Sequence, residues 1–99
     1  MELIPKELLN QIPKLYETED QVDPIAYVKL FIDGWIWHIT EISIDKNICF
    51  GFVESPFCSG ELGYFSLEEI KSIKGSLGIG VELDLEFKPT KLSIIKKAS

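Results

Sequence analysis

The chain contains no arginine, because all ten of its cationic side chains are lysine. Arginine reads guanine through two hydrogen bonds and grips phosphate with a planar fork. Sixteen acidic residues bring the net charge to −6. An acidic chain without arginine is a poor candidate for sequence-specific binding of nucleic acid, so we expect none.

Cysteine and long apolar runs are also scarce. Cys49 and Cys58 are too few for a disulfide framework, and we expect both to be reduced thiols. No apolar run reaches the roughly eighteen residues of a membrane span. The N-terminal segment has an acid at position 2 and lacks a long apolar core, so we do not expect a signal peptide. The expected location is the cytoplasm.

Length and charge distribution bound the organisation of the chain. Its 99 residues predict a single domain, 1–99, without room for separate substrate and cofactor lobes. Residues 1–87 hold all sixteen acids and six lysines, a balance of −10, whereas the last twelve residues carry four lysines and no acid. We therefore expect a solvated basic tail at 88–99.

Turn residues and periodicity predict an α+β domain with a mostly antiparallel sheet. Asp33-Gly34 is a strong signal for a type I′ hairpin turn. Ser66 and Glu69 have the spacing of a capping box, which predicts a helix at about 66–74. The predicted segments are an N-terminal helical segment at 1–16, an acidic loop at 17–25, a three-stranded meander at 26–54, a loop at 55–60, a short strand and the capped helix at 61–74, a strand at 81–87, and the basic tail, in which 92–95 is a candidate edge strand.

Strict alternation along the second strand separates its side chains into two sets. Trp35, Trp37 and Ile39 fall on one face, and His38 falls on the other together with Ile36, Thr40 and Ile42. The sheet is then apolar on both sides, and one of these faces needs a helix or a partner to cover it. An uncovered face with tryptophan on it would be an interaction anchor.

Few residues offer chemistry. His38 is a candidate general base and Cys58 a candidate nucleophile, but such a pair needs close approach and a group that orients the histidine. The spacing of the acids, Cys49, Cys58 and His38 matches no metal site. Gly75, Gly78 and Gly80 are spaced G-x-x-G-x-G, the reverse of the fingerprint of a dinucleotide-binding loop. They also follow a predicted helix rather than a strand, so a phosphate-binding loop is not expected here. We expect no catalytic residue, no metal and no cofactor.

The run Glu61-Leu62-Gly63-Tyr64, followed by Ser66-Leu67 and Glu69, resembles the bacterial family catalogued as domain of unknown function 2958. The resemblance covers most of residues 26–88, although the ESPFCSG loop before the run departs from the family's Gly- and Asp-rich loop. It implies a small soluble domain, frequent on plasmids, integrative elements and phages, often near or fused to antirestriction and conjugation proteins. It brings no catalytic residues.

The leading hypothesis is a non-enzymatic protein-interaction or accessory domain linked to mobile genetic elements. One alternative is an acidic inhibitor of a host defence nuclease that mimics nucleic-acid charge, and another is a cysteine-dependent hydrolase using Cys58 and His38. The partner is an unknown protein rather than a membrane, and a homodimer is left open. The polar or aromatic residues proposed for an interaction or shared polar site are Lys29, Trp37, Glu41, Glu61, Tyr64 and Asp84.

Overall fold

The computed structural model describes residues 3–75 and 78–98. Its main sheet has five antiparallel strands in the order β5-β4-β3-β2-β6, and β2 to β5 form a meander of consecutive hairpins, so the α+β prediction is confirmed. The main-sheet strands are β2 (Val28–Ile32), β3 (Trp35–Ile42), β4 (Ile48–Ser55), β5 (Cys58–Ser66) and β6 (Glu82–Leu83). A small second sheet pairs β1 (Ile25–Ala26) with β7 (Thr90–Lys91), and the helices are α1 (Lys6–Leu9), α2 (Leu67–Lys71) and α3 (Leu92–Ala98).

Two short sequence motifs adopt the local structures that were predicted for them. Asp33 and Gly34 both have positive φ, 44° and 89°, and connect β2 to β3 as a type I′ turn requires. At the start of α2, the Ser66 hydroxyl accepts a hydrogen bond from the Glu69 amide at 3.3 Å. Asn47 adds a contact from the β3–β4 turn, because its side-chain oxygen accepts from the Glu68 amide at 3.0 Å.

A β-bulge between Ile39 and Glu41 changes which way β3 points its side chains. The prediction that Ile42 shares a face with His38 is therefore wrong: Ile42 is fully buried in the same cluster as Ile39. The bulge moves Glu41 to the side of His38, since one extra residue reverses the alternation. Gly51 on β4 permits this, because a Cβ there would lie 1.8 Å from the His38 carbonyl oxygen.

The side of the sheet that carries Leu30, Trp37 and Ile39 is called the core face. Its apolar side chains pack against α2 and the N-terminal segment, which cover it as the periodicity of both segments requires. The buried residues of this cluster are Ile4, Ile12, Val28, Leu30, Ile32, Trp37, Ile39, Ile42, Cys49, Leu67 and Ile70.

The predicted loop at 55–60 is instead a tight hairpin. β4 runs to Ser55 and β5 begins at Cys58, so that only Pro56 and Phe57 form the turn. The first residues of β5 are mostly small or polar, Cys-Ser-Gly-Glu. A strand is predicted from alternating apolar residues, and this segment has no such alternation.

The predicted strand at 81–87 is also wrong beyond Leu83. The chain turns at Asp84, whose side chain accepts a hydrogen bond from the Glu86 amide at 3.0 Å, an Asx turn. Leu85 consequently points outward and is 86% exposed. The neighbouring glycine pattern from Gly75 to Gly80 includes residues 76 and 77, which lie outside the described residues.

The C-terminal segment packs against the sheet and does not form an edge strand at 92–95. α3 begins at Leu92, and Leu92 and Ile95 are buried with Ala26 and Phe52 on the side opposite the core face. An i, i+3 pair of apolar residues is the pattern of a helix. Asp23 holds the start of α3, since its carboxylate accepts from the Ser93 amide at 2.9 Å and from the Ser93 hydroxyl.

Candidate functional site

The side of the sheet opposite the core face carries polar and aromatic residues together and is called the mixed face. His38 lies near its centre, opposite Lys29 of β2 and Phe52 of β4. The mixed face continues through Glu41 on β3, after the bulge, and through Tyr64 on β5. Three of the six predicted site residues therefore share one face.

His38 and Glu54 form a buried pair. The His38 Nε2 lies 2.9 Å from Glu54 Oε2, and the histidine is 4% exposed. A carboxylate can only accept, so Nε2 carries the proton and Nδ1 is the bare ring nitrogen. Nδ1 has no hydrogen-bond partner in the described part of the chain. Burial lowers the pKa of His38 although the hydrogen bond and charge of Glu54 act to raise it, which favours the neutral imidazole.

Two phenylalanines enclose the histidine. The ring centroid of Phe87 lies 5.9 Å from that of His38, and that of Phe52 lies 6.1 Å away. A carboxylate-oriented imidazole has the geometry of a general base. His38 is 4% exposed, so a substrate does not reach this imidazole in the present arrangement.

Lys29 and Asp84 form an ion pair at the edge of the mixed face. The Lys29 Nζ lies 3.6 Å from the Asp84 carboxylate, and both side chains are about a quarter exposed. The pair lines a groove of about 470 Å³, to which Phe31, Trp35 and Leu85 contribute apolar surface. Each of these three side chains is exposed by more than a third. The structure thus brings two predicted site residues together beside an open apolar groove.

Glu41 is enclosed within the fold. It is 5% exposed, and its carboxylate accepts from the amides of Tyr16 and Thr18 at 3.0 and 2.8 Å and from the Thr18 hydroxyl. These bonds tie the predicted acidic loop to β3. The contacts assign Glu41 a structural role, because a buried carboxylate of this kind is satisfied by the fold itself.

Tyr64 and Glu61 lie on β5, at the open side of the sheet. Tyr64 is 57% exposed, and its ring lies 4.8 Å from that of Phe50. A hydrogen bond with the Tyr16 side chain is the largest cause that raises the pKa of Tyr64, and the charges of Glu41 and Glu19 add to it. Glu61 is exposed and pairs with Val53.

The two tryptophans have different surroundings. Trp37 is buried in the core cluster, which removes it from the surface as an anchor. Trp35 stacks on Trp37 with 6.1 Å between ring centroids, and it keeps 39% of its surface exposed at the groove. The exposed tryptophan is therefore the one outside the predicted set.

The two cysteines differ in exposure and therefore in the reactivity expected of their thiols. Burial raises the pKa of Cys49 to about 12, so its thiol stays protonated. Cys58 is an exposed free thiol at the β4–β5 hairpin. The imidazole of His38 faces Glu54 and the phenylalanines, and the structure shows no hydrogen bond that joins it to Cys58.

Residues 3–75 and 78–98 contain neither a cluster of metal ligands nor a helix that could span a membrane. No group of three or more histidine, cysteine or acidic side chains in this part of the chain is placed to hold a metal ion. None of the helices in the same ranges has the length and apolar character needed to cross a membrane.

Pattern reading missed Glu54, Phe31 and Leu85. Glu54 stands at the end of a strand, and nothing in its spacing from His38 signals that the two meet across a hairpin. Phe31 pairs with Ile36 and Trp35 with Ile32, so strand alternation places their side chains on opposite faces and gives no signal that both line the groove. Leu85 falls in the predicted strand 81–87, and strand alternation does not reveal the Asx turn at Asp84 that leaves it exposed.

The fold and its mixed face define a small α+β domain built on an antiparallel meander. Residues 3–98 match the model of the family described as "Protein of unknown function (DUF2958)". The chain belongs to this family, which confirms the resemblance found in its Glu-Leu-Gly-Tyr run. No curated protein and no solved structure matches the chain.

Proposed function

We propose that this chain is a non-enzymatic protein-interaction or accessory domain, located in the cytoplasm and linked to bacterial mobile genetic elements. The observation that carries the proposal is the groove beside the Lys29–Asp84 pair. Phe31, Trp35 and Leu85 line this groove, and each keeps more than a third of its surface exposed. Exposed apolar surface next to oriented charges is the composition of a protein-binding hot spot.

The groove has the dimensions of an anchor site. A volume of about 470 Å³ accommodates one or two large side chains of a partner. Lys29 and Asp84 then supply a donor and an acceptor at the rim, which fixes orientation. The buried His38–Glu54 pair, by comparison, offers no accessible nucleophile or base, which supports a binding role over a catalytic one.

Site-specific photo-crosslinking in the native host tests the proposal. A photoreactive amino acid at Leu85 should give a discrete protein crosslink that Trp35→Ser removes. The same probe at Ile94, an exposed position on α3, is the matched control. Equal crosslinking from both positions, or a Leu85 crosslink unchanged by Trp35→Ser, would contradict the groove as the binding surface.

A further inference from the structure

The second surface of interest is the edge of the main sheet formed by β5. In the described part of the chain, β5 has β4 as its one neighbouring strand, and it is nine residues long. The opposite edge, β6, is only two residues long. An edge strand leaves a row of backbone donors and acceptors open to another strand. β5 is therefore the long open edge of the described sheet.

This edge has few of the features that prevent strand addition. Proteins commonly protect an edge with lysine, proline or a bulge. The sequence of β5 has neither lysine nor proline, and Glu61 is its single carboxylate. The irregular pairing is confined to the hairpin end, and the register runs without a shift from Val53↔Glu61 to Ile48↔Ser66.

The side chains of this edge are complementary to themselves. Gly60, Leu62 and Tyr64 alternate along the mixed face, where Leu62 is 49% and Tyr64 57% exposed. If two β5 strands pair antiparallel about Leu62, then Leu62 faces the partner's Leu62, and Tyr64 faces the partner's Gly60. Tyr64 would then approach the Phe52 ring that covers the partner's Gly60, and aromatic side chains pack favourably in such pairs.

The space beside Gly60 has room for the ring of the partner's Tyr64. A groove of about 540 Å³ is lined by Phe52, Gly60, Leu62 and Lys96. The glycine is required here, since its φ is +134° and a Cβ would lie 2.2 Å from the Phe52 ring. The Phe52 ring therefore covers Gly60, and the partner's Tyr64 would lie against Phe52 at the wall of the groove.

Charge favours the same pairing. Lys96 lies over the Phe52 ring, 5.6 Å from its centroid, at the Gly60 end of the strand. The carboxylates of Glu19 and Glu41 act on Tyr64 at the other end. Antiparallel pairing about Leu62 brings Lys96 of each copy toward the Tyr64 end of the other copy. The repulsion between two chains of net charge −6 acts over longer distances and is screened beyond about 8 Å at physiological salt.

We propose that the β5 strands of two copies of this chain pair antiparallel about Leu62, forming a two-fold symmetric dimer with one continuous ten-stranded sheet. A closed, self-complementary contact of this kind is the commonest symmetry of soluble oligomers. The groove near Trp35 lies at the other edge of each sheet, so the dimer would present two such grooves.

Sedimentation equilibrium of the full chain in a Cys58→Ser background tests the dimer. We expect a monomer–dimer equilibrium whose dissociation constant Leu62→Lys raises by at least about tenfold, because two lysines then meet at the axis. Ile79→Lys changes an exposed isoleucine outside β5 and outside the groove near Trp35, and it should leave the equilibrium unchanged. A chain that stays monomeric at millimolar concentration, or equal effects of the two variants, would overturn the proposal.

A disulfide test examines the register in the same background. Leu62→Cys should form a disulfide-linked dimer under mild oxidation, because directly opposed residues have Cα atoms about 4.5 to 5.5 Å apart. Tyr64→Cys, which would face the partner's Gly60, should not. Far-ultraviolet circular dichroism confirms that each variant is folded. Efficient crosslinking at position 64 rather than 62 would exclude pairing about Leu62.

Discussion

The core face and the mixed face belong to the same strands but are covered in different ways. The core face is closed by apolar side chains of the N-terminal segment and α2. The mixed face is closed by the C-terminal segment, and it buries a histidine, a glutamate and a threonine among its aromatic rings. Apolar packing tolerates small shifts, whereas buried polar groups require particular partners. The mixed face therefore depends more strongly on a single arrangement of the chain.

The bulge between Ile39 and Glu41 reverses the alternation of β3 side chains between the two faces. Gly51→Ala should disrupt this bulge. The new Cβ would lie 1.8 Å from the His38 carbonyl oxygen, which is backbone and cannot move aside. We expect a loss of more than about 4 kcal/mol in the free energy of unfolding, or failure to fold.

Gly63→Ala is the matched control for Gly51→Ala, because Gly63 is the cross-strand neighbour of Gly51 and a Cβ there meets nothing within 4 Å. It should change the free energy of unfolding by less than about 1 kcal/mol. Urea unfolding followed by circular dichroism measures both variants. Similar losses in the two would show that the bulge does not depend on the close approach at Gly51.

Glu41→Ala tests the dependence of the mixed face on polar partners. Its carboxylate satisfies the amides of Tyr16 and Thr18, which would be left without it. We expect a loss of about 3 kcal/mol in the free energy of unfolding, since each unsatisfied buried group costs about 1 to 3 kcal/mol. Glu61→Ala, an exposed acid on β5, should stay within about 0.5 kcal/mol of the parent. Equal effects from the two variants in urea titrations would contradict the structural role of Glu41.

Acidification should weaken the mixed face through His38, the only histidine of the chain. Burial lowers its pKa from 6.5 in the folded state, so the unfolded chain binds the proton more readily. The stability contributed by the neutral histidine is fully present above pH 6.5 and is lost as the pH falls below it. His38→Gln should flatten the dependence of the urea midpoint between about pH 7 and pH 5, the range in which an unperturbed histidine titrates. An unchanged pH slope in this variant would assign the effect to other groups.

The Lys29–Asp84 pair should give the smallest effect. It is partly solvated, so a double-mutant cycle with Lys29→Met and Asp84→Asn should yield a coupling below about 1 kcal/mol. Asparagine keeps the side-chain oxygen that accepts from the Glu86 amide. The coupling should decrease further in high salt. A coupling of several kcal/mol would mean that the pair is a structural contact of the mixed face rather than a rim of the groove.

The parts of the fold that were predicted depend on neighbours in sequence. Asp33-Gly34 specifies its turn through backbone conformation, and Ser66 caps α2 within one helical turn. The errors concern contacts between distant segments. The bulge depends on Gly51 approaching the backbone of His38, and the start of α3 depends on Asp23. No local pattern contains such information.

The residues of the candidate site were predicted in part, whereas the contacts between them were not. Lys29 and Asp84 were both predicted as polar site residues, but their contact and the groove beside it form only when β6 pairs with β2. Glu41 is predicted as part of an interaction or shared polar site, because strand alternation does not reveal the loop that covers it. A buried role for a carboxylate becomes visible only when its donors, Tyr16 and Thr18, are known.

The contact between Asp23 and Ser93 spans 70 residues of sequence. Such a contact forms late in folding, because closing a long loop costs entropy before the contact repays it. During synthesis on the ribosome, residues 28–71, which hold both the meander and α2, emerge before Phe87, Leu92 and Ile95. The nascent sheet would thus expose His38 and Phe52 until these three residues have also emerged, and a chaperone that recognises aromatic surface would meet the chain on this side first.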